Sequence, residues 1–271
     1  MAGRDFTSND YLALADSDVL KSAVTEALAR GVPPGAGGSR LLRGNHPEHE
    51  MLEEEAAAFF GSETSLYFPT GFAANAALLS TLPRKGDVIV HDALIHASVR
   101  DGLGAVPVIE TPHNDVTAMD DALSRWRQDG GKGRAWIAVE TLYSMDGDRA
   151  PLDDLVALAA RHDAMLLLDE AHATGVYGER GRGLAAHDGA SNIISLHTCG
   201  KALGAAGALV CLPRVLRDFL VNRARSFIYS TAPSPLMAAV VRAALRHAAG
   251  AEQERAQLQA LVRHAAARLK A

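Results

Sequence analysis

Short apolar runs alternate with helix-like segments between Thr64 and Leu212, and that rhythm limits the folds open to the chain more than any single residue. The runs fall at 64–68, 87–91, 106–109, 135–141, 165–168, 193–196 and 208–212. The run at 135–141 opens with five consecutive apolar residues rather than alternating, which is how a strand buried on both faces reads. Helical patterns lie at 71–82, 95–104, 116–126 and 151–162, with two more at 215–223 and 236–247. Strands and helices at this spacing predict an α/β fold: a three-layer sandwich whose central sheet is mostly parallel and covered on both faces.

Ahead of this region, Asp16 or Ser17 caps a helix through Val19, Ala23 and Leu28 that Gly31 and Pro33-Pro34 stop. Pro47 opens a second helix with Glu48, Glu50 and Glu53 in its first turns, ending at Gly61. The intervening Gly35-Ala36-Gly37-Gly38-Ser39-Arg40 reads either as a linker or as backbone that approaches a ligand or partner chain closely. The expected organisation is an N-terminal segment (1–15), a large domain (16–249) and, past Gly250, the start of a second, truncated C-terminal domain (250–271).

Composition narrows the function classes. Hydrophobic residues make up 48% but aromatics only 5%, so the core is built from Ala, Val, Leu and Ile. A net charge of −5 with no basic block argues against nucleic-acid partners. Cys199 and Cys211 lack disulfide or zinc spacing, and no metal site is expected. No run approaches the roughly eighteen apolar residues of a membrane span. The first ten residues lack a signal-peptide core, so a cytoplasmic location is the default expectation.

Two clusters carry the chemistry. In I-I-S-L-H-T-C-G-K-A-L-G-A-A-G, Lys201 sits among small residues, and its nearest charged neighbours are Asp188 and Arg214. Such a lysine is either a buried misfit or a nucleophile whose amine is freed by desolvation. In M-L-L-L-D-E-A-H-A-T-G, a buried run delivers Asp169 at its end, with His172 three residues on. Asp169 then caps the following turn, or pairs with a cation such as a protonated ring nitrogen. A magnesium site is a third option, supported by no further carboxylate beyond Glu170.

Lysine and aspartate together match the needs of pyridoxal 5'-phosphate. That cofactor takes a lysine amine, a carboxylate at its pyridine nitrogen, a group on the ring face and donors for its phosphate. Lys201 and Asp169 supply the first two, His96 in I-H-A-S is the candidate for the ring face, and the turn Thr70-Gly71-Phe72-Ala73-Ala74-Asn75 offers helix-start N–H groups to an anion.

These residues stand among further motifs: S-N-D-Y-L at Ser8, G-G-S-R at Gly37, H-N-D at His113, S-M-D-G-D at Ser144, T-C-G-K at Thr198 and I-Y-S-T at Ile228. In that order, from about Phe6 to His247, the chain resembles the α-oxoamine synthases of the fold-type-I, aminotransferase-like cofactor enzymes, most closely their biotin-pathway branch. The resemblance implies that Lys201 holds the cofactor, Asp169 pairs with its pyridinium nitrogen, His172 reaches its 3-hydroxyl and His96 stacks on the ring. It further implies that Ser144 and Thr198 bond the cofactor, Thr198 on the phosphate side with the backbone at Gly71 and Phe72. Ser230 and Thr231 match phosphate contacts made across a homodimer with shared active sites, and Asn9, with His96, lies near the substrate. Catalysis would rest on Lys201, His96, Asp169 and His172. The implied reaction condenses L-alanine with a pimeloyl thioester, on coenzyme A or a carrier protein, with loss of carbon dioxide.

The family extends beyond both ends of this chain, into segments that bind the acyl group and the substrate carboxylate. An intact cofactor site with weak or absent turnover is therefore the expectation. Two alternatives stay open: a sister synthase using glycine or serine with another acyl-CoA, and a cofactor-retaining, non-catalytic partner. Cys199 reads as a passive buried thiol, or as a point where modification disturbs the phosphate side.

Overall fold

The computed structural model describes residues 7–104, 106–185 and 190–269; the first residues of the expected N-terminal segment, Asp188 and Lys270 lie outside them. Seven strands form one sheet: β1 (Thr64–Phe68), β2 (Val88–Asp92), β3 (Val108–Thr111), β4 (Ala135–Glu140), β5 (Met165–Asp169), β6 (Ile193–Thr198) and β7 (Ala208–Leu212). Their order is β1-β7-β6-β5-β4-β2-β3. The pairs from β3 to β6 are parallel, whereas β7 runs antiparallel to both β1 and β6. The sheet is thus mixed and mostly parallel, as expected. Its reversal falls where nine residues without a helix separate β6 from β7, too few for a parallel crossover.

Helices cover both faces. α1 (Asp18–Ala29) starts at Ser17, whose hydroxyl accepts from Leu20 N–H, and α2 (Pro47–Phe60) ends on Gly61 in the left-handed region at φ 73°. α3 (Gly71–Thr81), α4 (Ala97–Gly102), α5 (Val116–Gln128) and α6 (Leu152–Arg161) follow, then α7 (Arg214–Arg223), α8 (Arg225–Ile228), α9 (Pro235–Ala249) and α10 (Glu252–Leu269). The short α8, and a single 3-10 turn over Glu179–Gly181, carry no periodic signal and are additions to the sequence reading.

Alternation along each strand decides which face a side chain serves. Leu66, Phe68, Trp136, Ala138, Met165, Leu167, Ile194 and Leu196 join the core layer beneath α3, α7 and α8. Val88, Ile137, Val139, Leu166 and Leu168 point the other way, to α5 and α6. Tyr67, Leu209 and Cys211 pack with α1, α2 and α9. Counting on by two, Glu140, Asp169 and Thr198 all fall on the α3 side at the carboxyl ends of β4, β5 and β6. That is where open parallel sheets gather ligands.

Candidate active site

A pocket at these strand ends is lined by Glu140, Asp169, Thr198 and Lys201 from the sheet side and by Gly71, Phe72 and Asn75 from α3. His96, Ser98 and His172 complete its polar wall. Sequence reading assigned Gly71, Phe72, His96, Asp169, His172, Thr198 and Lys201 to one site, and all seven line this pocket.

Lys201 rides the loop that turns β6 into β7. That loop is closed by Cys199 N–H on Gly207 O (2.8 Å), Ala205 N–H on Cys199 O (2.8 Å) and Gly204 N–H on Lys201 O (2.8 Å). Burial pulls the Lys201 pKa below the usual lysine range, and the carboxylates of Asp169 and Glu140 partly restore it. The amine therefore has a larger neutral, nucleophilic fraction than a surface lysine.

Asp169 is 4% exposed. Its Oδ1 accepts from Ala171 N–H (2.9 Å) and its Oδ2 from the Asn75 carboxamide (2.8 Å). The turn-capping role leaves room for a bound cation, because a carboxylate has about four lone-pair sites and two are used. His172 is held neutral: burial, then the neighbouring Lys201 and His96, pushes its pKa down to about 4. Its Nδ1 lies 2.8 Å from the hydroxyl of Tyr11, which is itself 3.2 Å from Asn9 Oδ1. Asn9 is exposed and reaches the pocket wall only through this relay.

One end of the pocket is built by α3. Thr70 caps the helix by accepting from Ala73 N–H (3.0 Å), which leaves the first-turn amides of Gly71 and Phe72 without intrahelical acceptors. Gly71 packs beside Thr198, whose Oγ1 would stand 3.7 Å from a Cβ placed there. Asn75, read in sequence as part of this turn, sits a turn further on and serves Asp169 instead.

Ser144, Ser230 and Thr231 do not line the pocket of this chain. Ser144 is exposed on the loop after β4, with its backbone N–H against Glu140. That loop is anchored where two sequence motifs meet. His113 Nδ1 bonds Asp92 (2.9 Å), its Nε2 bonds Asp148 (2.8 Å), and the Asn114 carboxamide donates to Asp148 (2.7 Å). Thr231 is exposed and Ser230 half-buried. Ala232 N–H donates to Gly38 O (2.9 Å), which ties the segment after Ile228 to the Gly35–Arg40 loop. Arg40 of that loop is buried against Glu53 (2.7 and 3.2 Å).

Sequence reading missed Glu140, Tyr11 and Ser98. Glu140 is 2% exposed, lies in register beside Asp169 and has Oε1 without a hydrogen-bond partner. Burial, then the Asp169 carboxylate, pushes its pKa up to about 7. The signal was present, since A-W-I-A-V-E is an apolar strand ending in a carboxylate just as M-L-L-L-D is. Tyr11 and Ser98 carried no comparable signal. Glu170, grouped with Asp169 in the magnesium option, turns away to accept from Leu184 N–H (2.7 Å) and Ala185 N–H (2.8 Å).

A softened lysine, a half-satisfied carboxylate, two imidazoles and an open helix N-terminus form the donor set that pyridoxal phosphate requires. A profile of the aminotransferase class I and II family matches residues 4–271. The chain belongs to that family. It is 45% identical over 249 residues to 8-amino-7-oxononanoate synthase of Pelobacter propionicus, covering 90% of this chain and 63% of that protein. It is 43% identical over 269 residues to the enzyme of that name from Chromobacterium violaceum, covering 98% and 69%. The chain thus spans somewhat under two thirds of the first of these relatives. Among solved structures, Sphingomonas wittichii serine palmitoyltransferase superposes with TM-score 0.85 at 32% identity (92% of this chain, 62% of that one). The 8-amino-7-oxononanoate synthase of Francisella tularensis gives 0.76 at 32% (94% and 72%).

Proposed function

We propose that the chain is a pyridoxal-phosphate-dependent acyltransferase that condenses L-alanine with a pimeloyl thioester to 8-amino-7-oxononanoate. The observation that carries this reading is the buried Lys201, pulled down in pKa, sharing one pocket with Asp169, His96 and His172. Lys201 would hold the cofactor through its amine, Asp169 would face the ring nitrogen, His172 the 3-hydroxyl and His96 the ring face. Gly71, Phe72 and Thr198 would take the phosphate. When bound, the protonated pyridine ring supplies a sink for the electrons released at the substrate α-carbon.

The protein's own groups then divide the work. Asp169, buried at the strand end, would hold positive charge at the ring by ion pairing. Lys201 would be the base for the substrate α-proton, and burial lowers its pKa toward the working pH. His172, neutral and hydrogen-bonded to Tyr11, orients without adding charge. Ser144, Ser230, Thr231 and Asn9 would join through loop closure or a second subunit. Support for a homodimer comes from the exposure of Thr231 and from the hydrogen bond that fastens its segment to the Gly38 loop. Sequence identity favours the alanine reading, and the closer superposition on serine palmitoyltransferase favours a serine-using sister. We follow the identity, because the shared scaffold reports fold more than substrate.

Borohydride reduction with pyridoxal phosphate, then peptide mass spectrometry, should give a pyridoxyl adduct on Lys201 that Lys201→Ala lacks. No adduct refutes the cofactor assignment. Product analysis with alanine, glycine and serine against pimeloyl-CoA, pimeloyl carrier protein and palmitoyl-CoA then decides the substrates.

A further inference from the structure

The carboxamide of Asn75 is 1% exposed, and both its hydrogens are committed. Nδ2 donates to Asp169 Oδ2 (2.8 Å) and to Ser98 Oγ (2.9 Å). The orientation of the amide follows from chemistry: an ionised carboxylate only accepts, so the nitrogen must face Asp169. Ser98 Oγ, itself 1% exposed within the residue, therefore receives a hydrogen from Asn75, and its own proton has His96 Nδ1 at 2.8 Å. Ser98 N–H also points at that nitrogen (3.2 Å), as expected for His96 capping α4. Two donors on Nδ1 make it an acceptor, which leaves the ring proton on Nε2.

We infer that Asn75 is a positioning residue that orients the Asp169 carboxylate and, through Ser98, fixes His96 as the tautomer protonated at Nε2. The chain of bonds runs in one direction, from Asn75 outward to Asp169 on one side and through Ser98 to His96 on the other. It joins the group assigned to the ring nitrogen with the group assigned to the ring face. This deepens the proposed function and rests on it where the cofactor is concerned. Glu140 from β4, the adjacent Glu170, Lys201 from the β6–β7 loop, and His172 and His96 are ionisable groups around Asp169. Any titration must be read with them in view.

Three variants test the relay. Asn75→Asp keeps the shape but sets a second carboxyl against Asp169. Its affinity for pyridoxal phosphate, titrated by absorbance without substrate, should fall at least about tenfold at about pH 8, since a buried carboxylate loses its donor. Asn75→Ala should lose affinity similarly. Ser98→Ala, which leaves the Asp169 bond in place, should lose less affinity than Asn75→Ala. Circular dichroism checks that each variant folds. Equal cofactor affinity in Asn75→Ala overturns the inference while leaving the Lys201 adduct intact. A readout free of the cofactor is the imidazole 15N spectrum of the cofactor-free protein, with the His96 signals identified by their loss in His96→Gln. It should show Nε2 protonated and Nδ1 bare, shifting toward a tautomer mixture in Ser98→Ala. An Nδ1-protonated His96 in the unaltered protein overturns the relay whether or not pyridoxal phosphate binds.

Discussion

Replacing Glu140 by glutamine keeps the shape of the side chain and removes its charge. The carboxyl is 2% exposed, and burial, followed by the neighbouring Asp169 carboxylate, raises its pKa from 4.5 to about 7. The backbone N–H groups of Ser144 and His96, and Lys201, only partly offset this. A carboxyl raised in the folded chain favours folding while protonated. That contribution is complete below 4.5 and is lost as pH rises through about 7. Each pH unit in that interval carries about 1.4 kcal/mol, so ionised Glu140 costs the folded chain about 3 kcal/mol at about pH 8. Glu140→Gln should therefore match the unaltered protein near about pH 4.5 and exceed its stability by up to about 3 kcal/mol near about pH 8. Urea unfolding followed by circular dichroism on the cofactor-free protein, repeated across that range, measures the difference directly. A difference that stays flat with pH, or a glutamine variant less stable at the alkaline end, would refute the burial argument.

Two further changes probe the frame around the site. Arg40→Ala leaves Glu53, whose side chain is 6% exposed, without its bidentate partner and should cost about 3 kcal/mol in urea unfolding. Because Arg217 lies 3.8 Å from the same carboxylate, the loss should sit at the low end of the range for broken buried pairs, and Arg40→Met with Glu53→Leu should recover part of it. Gly183→Ala should cost about 2 kcal/mol or more, because its φ is +97° and a Cβ would stand 1.9 Å from Glu170 Oε2. Gly130→Ala, at φ +91° with nothing within 4 Å, isolates the backbone share of that cost at about 1 kcal/mol. Equal losses at the two glycines in thermal unfolding would show that the Glu170 contact contributes nothing.

The sheet was legible because its central strands are apolar up to their terminal carboxylate, so the runs over 135–139 and 165–168 needed no partner to be recognised. Lys201 and Asp169 were legible for the converse reason: each is a charge where the local pattern predicts none. Direction was harder. Nothing in A-L-V-C-L says that β7 runs backwards, and the clue lay in the missing helix before it. Tyr11 and Ser98 gain meaning only from contacts across the fold; Tyr11 meets His172 over 161 residues of sequence. Glu140 was overlooked although it repeats the Asp169 pattern one strand away. Asn75 was read as part of the anion-binding turn, whereas its carboxamide donates to Asp169, because a helix-start motif marks where an anion can sit and not which face the next turn presents.

The hairpin that carries Lys201 also limits how the chain can vary. β6 and β7 are locked by Ser195 opposite Cys211 and Thr198 opposite Ala208, and the loop between them is closed by its own backbone bonds. One residue inserted there must break those bonds or slip β7 by a single position. A slip would carry Leu209 and Cys211 to the α3 side and bring Val210 out of it. Length in this loop is therefore as constrained as identity: tolerated insertions should collect on the helix-bearing connections, and none between Thr198 and Ala208.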